Sequence, residues 1–131
     1  MPATLSAKAR ALLGKPALAH LATLMKDGSP QVSPVWVDTD GNRVLVNTAE
    51  GRIKSRNVRR DPRVALSLTD PENQYATLLI RGRVAEIRAH GAREHIDQLS
   101  QKYVKRAYAH RPGEVRLVLV IEPERVGGSG A

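Results

Sequence analysis

Apolar and polar positions alternate along most of the chain, and the places where the alternation breaks divide it into short elements. A helix is predicted over residues 5–13, with Thr4 or Ser6 as its cap and Gly14 and Pro16 as its stop. Residues 17–25 (ALAHLATLM) run into Asp27-Gly28, a strong hairpin signal, and residues 31–38 (QVSPVWVD) form the second arm. Pro34 cannot donate to a ladder, so that arm is expected at a sheet edge or at a bulge. Asp40-Gly41-Asn42 turns the chain into a third strand, 43–48 (RVLVNT), which ends in two polar residues. The period of two then disappears. Residues 51–60 (GRIKSRNVRR) read as one short helix stopped by Asp61-Pro62. Strands resume at 63–69 and 75–88 around the turn at residues 70–73, with Gly82 marking a bulge or bend. Ala92, Ile96, Leu99 and Tyr103 form a helical stripe within 92–106, and the almost wholly apolar segment 115–121 (VRLVLVI) is expected to be a buried central strand.

Six short strands in mainly antiparallel order, with small helices between them, predict a mainly β (α+β) fold, a closed or half-closed barrel. The length of 131 residues suits one domain, assigned to 1–126, and the glycine-rich end, 127–131, is expected to be a flexible tail. Aromatic residues make up only 3% and Phe is absent, so the core must be built from Val, Leu, Ile and Ala. The absence of cysteine excludes disulfides, thiol nucleophiles and cysteine-ligated zinc or iron–sulfur centres. The longest apolar run, 117–121, is far short of the roughly 20 residues a membrane helix needs, and no signal-peptide core opens the chain. A cytoplasmic protein without a membrane span is the expectation.

The net charge is +8, and its location carries more information than its size. Arg52, Lys54, Arg56, Arg59, Arg60 and Arg63 stand against the single acid Asp61, so this one segment supplies +5. Three of these cations open the predicted helix, where the macrodipole disfavours positive charge by roughly 0.3–1 kcal/mol each. Free N–H groups there, after Asn47-Thr48 and the flexible Gly51, make an anion site suited to phosphate. A solvated face with arginines paired to carboxylates is the plain alternative. Nucleic acid fits less well, because no stacking aromatics or recognised binding signature accompany the basic run. None of His20, His90, His95 and His110 stands in a catalytic arrangement, and the spacing of His90 and His95 is poor for two metal ligands on one helix face. No metal is expected, and Trp36 is assigned to core or dimer packing ahead of a cofactor contact.

The succession of QVSPVW, VNT, GRIKSRNVRRDPRVALSL, DPEN with Tyr75, and RGRVAEI resembles the flavin and deazaflavin oxidoreductases of the pyridoxamine-phosphate-oxidase-like split β-barrel superfamily. The similarity spans about residues 12–121, is most specific over 51–64, and is closest to the branch that uses coenzyme F420. The resemblance implies a homodimer of six-stranded split barrels with cofactor sites at the interface. It implies that basic residues matching Arg52 and Lys54 hold the cofactor phosphate, with Asn57, Asn47 and Thr48 nearby. The ring would lie against the edge strand at Ser33, Pro34 and Val35, and Tyr75 would reach it from the neighbouring chain. Hydride transfer from F420 to a small organic acceptor is the implied activity, needing no assigned catalytic side chain. FMN-dependent chemistry and non-catalytic cofactor or tetrapyrrole binding are alternatives on the same scaffold. Oxidation of pyridoxamine phosphate itself is not expected, since little chain follows the last strand.

Overall fold

The computed structural model describes residues 2–131. Its elements in chain order are α1 (Ala7–Gly14), β1 (Ala19–Leu24), β2 (Pro30–Val35), β3 (Val37–Asp40), β4 (Arg43–Ala49), α2 (Ile53–Arg60), β5 (Arg63–Asp70), β6 (Asn73–Arg88), α3 (Ala92–Val104) and β7 (Arg116–Gly127). Ser6 caps α1 by accepting from the Ala9 N–H, as its position before the apolar turn predicts. The β1–β2 hairpin turns at Asp27-Gly28, where Gly28 takes a φ of 88° and Asp27 accepts from the Ser29 N–H.

All seven strands belong to one antiparallel sheet in the order β2-β1-β5-β6-β7-β4-β3. The predicted strand 31–38 is therefore two strands, which corrects the count of six to seven. The physical reason lies at Trp36. β2 pairs with β1 and β3 pairs with β4, and only Trp36 separates them. Laid flat, the two edges of seven strands would stand roughly 29 Å apart at ~4.8 Å per strand. One residue cannot span that gap, so the sheet curls until its edges meet at one corner without hydrogen-bonding along their length. The result is a half-barrel. Pro34 lies on the edge strand β2, where a missing N–H is tolerated.

Two bulges help the sheet to curl. Pairing of β6 with β7 slips between Arg81 and Gly82 and again between Val84 and Glu86, and each slip adds local twist. Gly82 is required at the first, because a Cβ there would stand 2.2 Å from the Glu122 carbonyl oxygen. The concave side is filled by Leu13, Leu21, Val37, Val44, Val46, Leu78, Leu119 and Ile121, all fully buried. On the convex side, α3 covers β4 and β7 through Ala92 packed with Leu45, Val118 and Val120.

The end of α3 also fixes the corner. Tyr103 Oη accepts from the Val37 N–H at 3.0 Å and donates to the Ala17 carbonyl at 2.8 Å. Lys102 Nζ donates to the carbonyls of Leu13 and Val37 at 2.8 and 2.7 Å, and its half-buried setting lowers its pKa. Trp36 stacks on Tyr103 with ring centroids 5.3 Å apart. The glycine-rich end is tied down as well: Ser129 Oγ accepts from the Thr77 N–H and donates to the Tyr75 carbonyl, and the Gly130 N–H donates to the Thr77 carbonyl.

Candidate functional site

A cleft of about 320 Å³ opens where the two sheet edges meet. Leu18, Pro34, Val35 and Trp36 form one wall, Asn47 and Thr48 at the end of β4 form another, and Arg52 and Lys54 enter from the start of α2. Ile96, Tyr108 and Arg116 complete it. Six of the nine residues predicted for cofactor binding, Pro34, Val35, Asn47, Thr48, Arg52 and Lys54, thus converge here although they are spread over three elements.

The other three lie elsewhere. Asn57 is buried under α2, where Nδ2 donates to Thr23 Oγ1 at 2.9 Å and Oδ1 accepts from Arg60. Those bonds join α2 to β1. Ser33 pairs with the inward-facing Leu21, and its hydroxyl is buried without a partner outside the cleft lining. Tyr75 stands 79% exposed near the β5–β6 turn.

Arg116 and Tyr108 were not singled out from sequence. Arg116 is only 6% exposed, and a charge opening an otherwise apolar buried strand is the signal that marks it. Its Nε donates to Asn47 Oδ1 at 2.9 Å, its Nη1 donates to Tyr108 Oη at 3.1 Å, and the guanidinium lies 5.1 Å from the Tyr108 ring centroid. Asn47 is fixed in turn, because Nδ2 donates to the Ala92 carbonyl at 2.9 Å and to His95 Nδ1 at 3.1 Å. An accepting Nδ1 places the neutral ring's proton on Nε2, which faces Asp38 at 3.5 Å. This contact is too long and poorly aligned to satisfy the buried Nε2. It is still close enough for His95 to be the main cause holding the Asp38 carboxyl below the usual range, with the Thr39 N–H and Lys102 adding to it.

The electrostatics favour an anion. Burial, then Arg52 and Arg116, push the Lys54 pKa down, which means that two guanidiniums stand close enough to the ammonium to repel its charge. Arg52 is the N-cap of α2 and supplies no side-chain acceptor to the first turn. At the floor, Thr48 is 3% exposed and its hydroxyl has no hydrogen-bond partner. A cleft lined by three cations, an uncapped helix start and a residue with an orphan hydroxyl fits an anionic group with acceptor oxygens. The basic run itself divides. Arg59 pairs with Glu50 and Arg63 with Asp61, whose carboxyl is held down at about 2 by the Arg63 guanidinium, so this part is the solvated face of the plain alternative, while Arg52 and Lys54 turn to the cleft. Among the described residues no cluster of three or more histidines and acids is placed to hold a metal, and none of the helices is long and apolar enough to cross a membrane.

Comparison with known proteins agrees with this architecture. Residues 5–129 match the family model described as pyridoxamine 5'-phosphate oxidase. A solved structure of an F420 reductase is 32% identical, with 90% of this chain and 94% of that chain covered and a TM-score of 0.81. A putative pyridoxamine 5'-phosphate oxidase from Listeria innocua is 21% identical over 92% of this chain and 94% of its own, with a TM-score of 0.70. HupZ of group A Streptococcus is 20% identical over 91% and 90%, at 0.67. The last two share the fold. With nearly its whole length matched, the chain belongs to the pyridoxamine 5'-phosphate oxidase-like family of split-barrel proteins.

Proposed function

We propose that the protein is an F420-dependent oxidoreductase that reduces a small organic acceptor. The observation that carries this reading is that Arg52, Lys54 and Arg116 line one cleft with Thr48, whose buried hydroxyl is unpartnered, and with a wall of Pro34, Val35 and Trp36. It is supported by the likeness to an F420 reductase. The cleft has the two halves that a phosphorylated ring cofactor needs, a cationic end and a flat, largely apolar wall. Bound there, the reduced deazaflavin would supply a hydride. The protein's part is binding and orientation: Arg52 and Lys54 hold the phosphate, Thr48 donates to it, and the Pro34–Val35 edge fixes the plane of the ring.

A second copy of the chain belongs to this reading. The convex face over β2, β1, β5 and β6 carries an apolar groove of about 610 Å³ in which Val32 and Leu79 are 63% and 50% exposed. Such a face suits self-association, and Tyr75 would reach the neighbouring site from it. The cytoplasm is the compartment this reading assigns. The match to the oxidase family favours FMN as the second candidate.

Titration of F420 fluorescence tests the proposal. Low-micromolar binding is expected, and the double change Arg52→Ala, Lys54→Ala should weaken it by about 100-fold or more, from two charge-assisted contacts. Equal binding by the double variant overturns the phosphate assignment, and tighter binding of FMN than of F420 moves the assignment to the second cofactor.

A further inference from the structure

The cleft's cations already have a carboxylate beside them. Glu114, with its side chain only 9% exposed, lies 3.4 Å from Arg116 Nη1 and 4.0 Å from Arg52 Nη2, and it accepts from Tyr108 Oη at 3.4 Å. It is delivered by the segment between α3 and β7, through a turn in which the Glu114 N–H donates to the Arg111 carbonyl and Gly113 takes a φ of 76°. Both contacts to arginine are long for charge-assisted bonds, which are usually about 2.7–2.9 Å. The carboxylate is therefore shared between two guanidiniums and held tightly by neither. Arg116 keeps its shorter bonds to Asn47 and Tyr108 without it.

From this geometry we infer that Glu114 is a built-in competitor for the anion: it occupies the charge of Arg52 and Arg116 when the cleft is free and yields them to a phosphate-bearing ligand. The inference rests on the reading of the cleft as an anion site. Its chemical content is specificity. Three cations offset by one carboxylate leave a net charge of +2, so a multiply charged phosphate group is accepted, while chloride and isolated carboxylates, which carry one charge and gain less from the two arginines, do not displace Glu114. Binding should also free the segment that carries Glu114.

Calorimetric titration with inorganic pyrophosphate, and fluorescence titration with F420, of the wild type and of Glu114→Gln test this. The isosteric amide keeps the shape and removes the competing charge, and about tenfold tighter binding of both probes is expected from one unit charge near 4 Å at the cleft edge. Equal or weaker binding by the variant overturns the competitor role and makes Glu114 a support for Arg116. Failure of both probes to bind either protein would instead overturn the anion reading of the cleft. A measurement on the wild type does not depend on the variant's folding: amide hydrogen exchange over residues 105–115 should become faster when pyrophosphate saturates the cleft. Unchanged or slower exchange there contradicts release of Glu114.

Discussion

One sheet presents two convex halves, and they are finished differently. Over β4 and β7, α3 lays Ala92 onto the sheet against Leu45, Val118 and Val120, and its Ile96 and Leu99 are buried too. Over β2, β1, β5 and β6 nothing covers the sheet among the described residues, and His20, Ala22, Val32, Ala65 and Leu79 line an open groove. The strands already carry part of the contrast: residues 44–46 of β4 and 117–121 of β7 are apolar and buried on both faces, whereas β1, β5 and β6 alternate. The sequence between strands carries the rest: the segment before β7 is long enough for a three-turn helix, whereas tight turns join β1 to β2 and β5 to β6. The half-barrel is thus covered on one side by its own chain and open on the other. The candidate cleft lies at the corner where the two edges of the sheet meet, which is why residues distant in sequence converge there.

The covered half should respond most strongly to truncation. Leu99→Ala removes a fully buried side chain from α3 and should lower the unfolding free energy by about 2–5 kcal/mol, read from urea denaturation. A comparable loss from Leu79→Ala on the open half would show that the groove is packed in the free chain and would remove the contrast.

Charge on the open half sharpens the comparison from the other side. Leu79→Glu should weaken self-association by about 100-fold, near 2.7 kcal/mol, in sedimentation velocity, while the thermal transition of the monomer moves little. An unaltered sedimentation coefficient would overturn this face as the contact of the proposed dimer.

Asp38 offers a pH test confined to the covered half. Its carboxyl pKa is depressed in the folded state, mainly by His95, so the associated stability is present above the unfolded carboxylate value of about 3.9 and is lost as pH falls through the lower folded value. With the side chain about one-third exposed, screening limits the contribution to about 0.5–1 kcal/mol. Asp38→Asn should therefore melt earlier than wild type at pH 7, and the two melting curves should converge in acid below that value. A difference that stays constant with pH assigns the loss to packing.

The sequence made the hairpin at Asp27-Gly28, the bulge at Gly82 and the cleft-lining pair Arg52 and Lys54 legible, because each rests on local chemistry: a turn needing positive φ, a backbone approach that excludes a Cβ, and cations placed against a helix dipole. The division of 31–38 at Trp36 was not legible, since alternation continues across a change of partner and only the pairing of β3 with β4 shows it. Arg116 and Tyr108 were hidden for a related reason. Their distance from Asn47 in sequence gives no pattern, and the charge at the head of an apolar strand was the one clue. Asn57 shows the converse, a polar residue in a basic motif whose side chain the fold uses to join α2 to β1.

The smallest effect tests whether the open half is electrostatically unfinished. Arg81 on β6 and Arg125, on the end of β7 that lines the groove and lies beyond the part under α3, stand directly opposite each other, and like charges in that relation are unfavourable by a fraction of a kcal/mol. Pairs of opposite sign gain by a similar amount, so Arg125→Glu should raise the urea midpoint by the equivalent of a few tenths of a kcal/mol. The gain should vanish in about 1 M salt, where the screening length is ~3 Å. The same change on a surface already compensated by a neighbouring carboxylate would lower the midpoint, so the sign of the shift reports whether this half carries uncompensated charge in the free chain. Because the variant sits at the groove, its effect on self-association separates two roles for the arginines. Weaker association beside a more stable monomer means that they meet acidic groups of the second copy, and unchanged association leaves the apolar floor of Val32 and Leu79 as the contact.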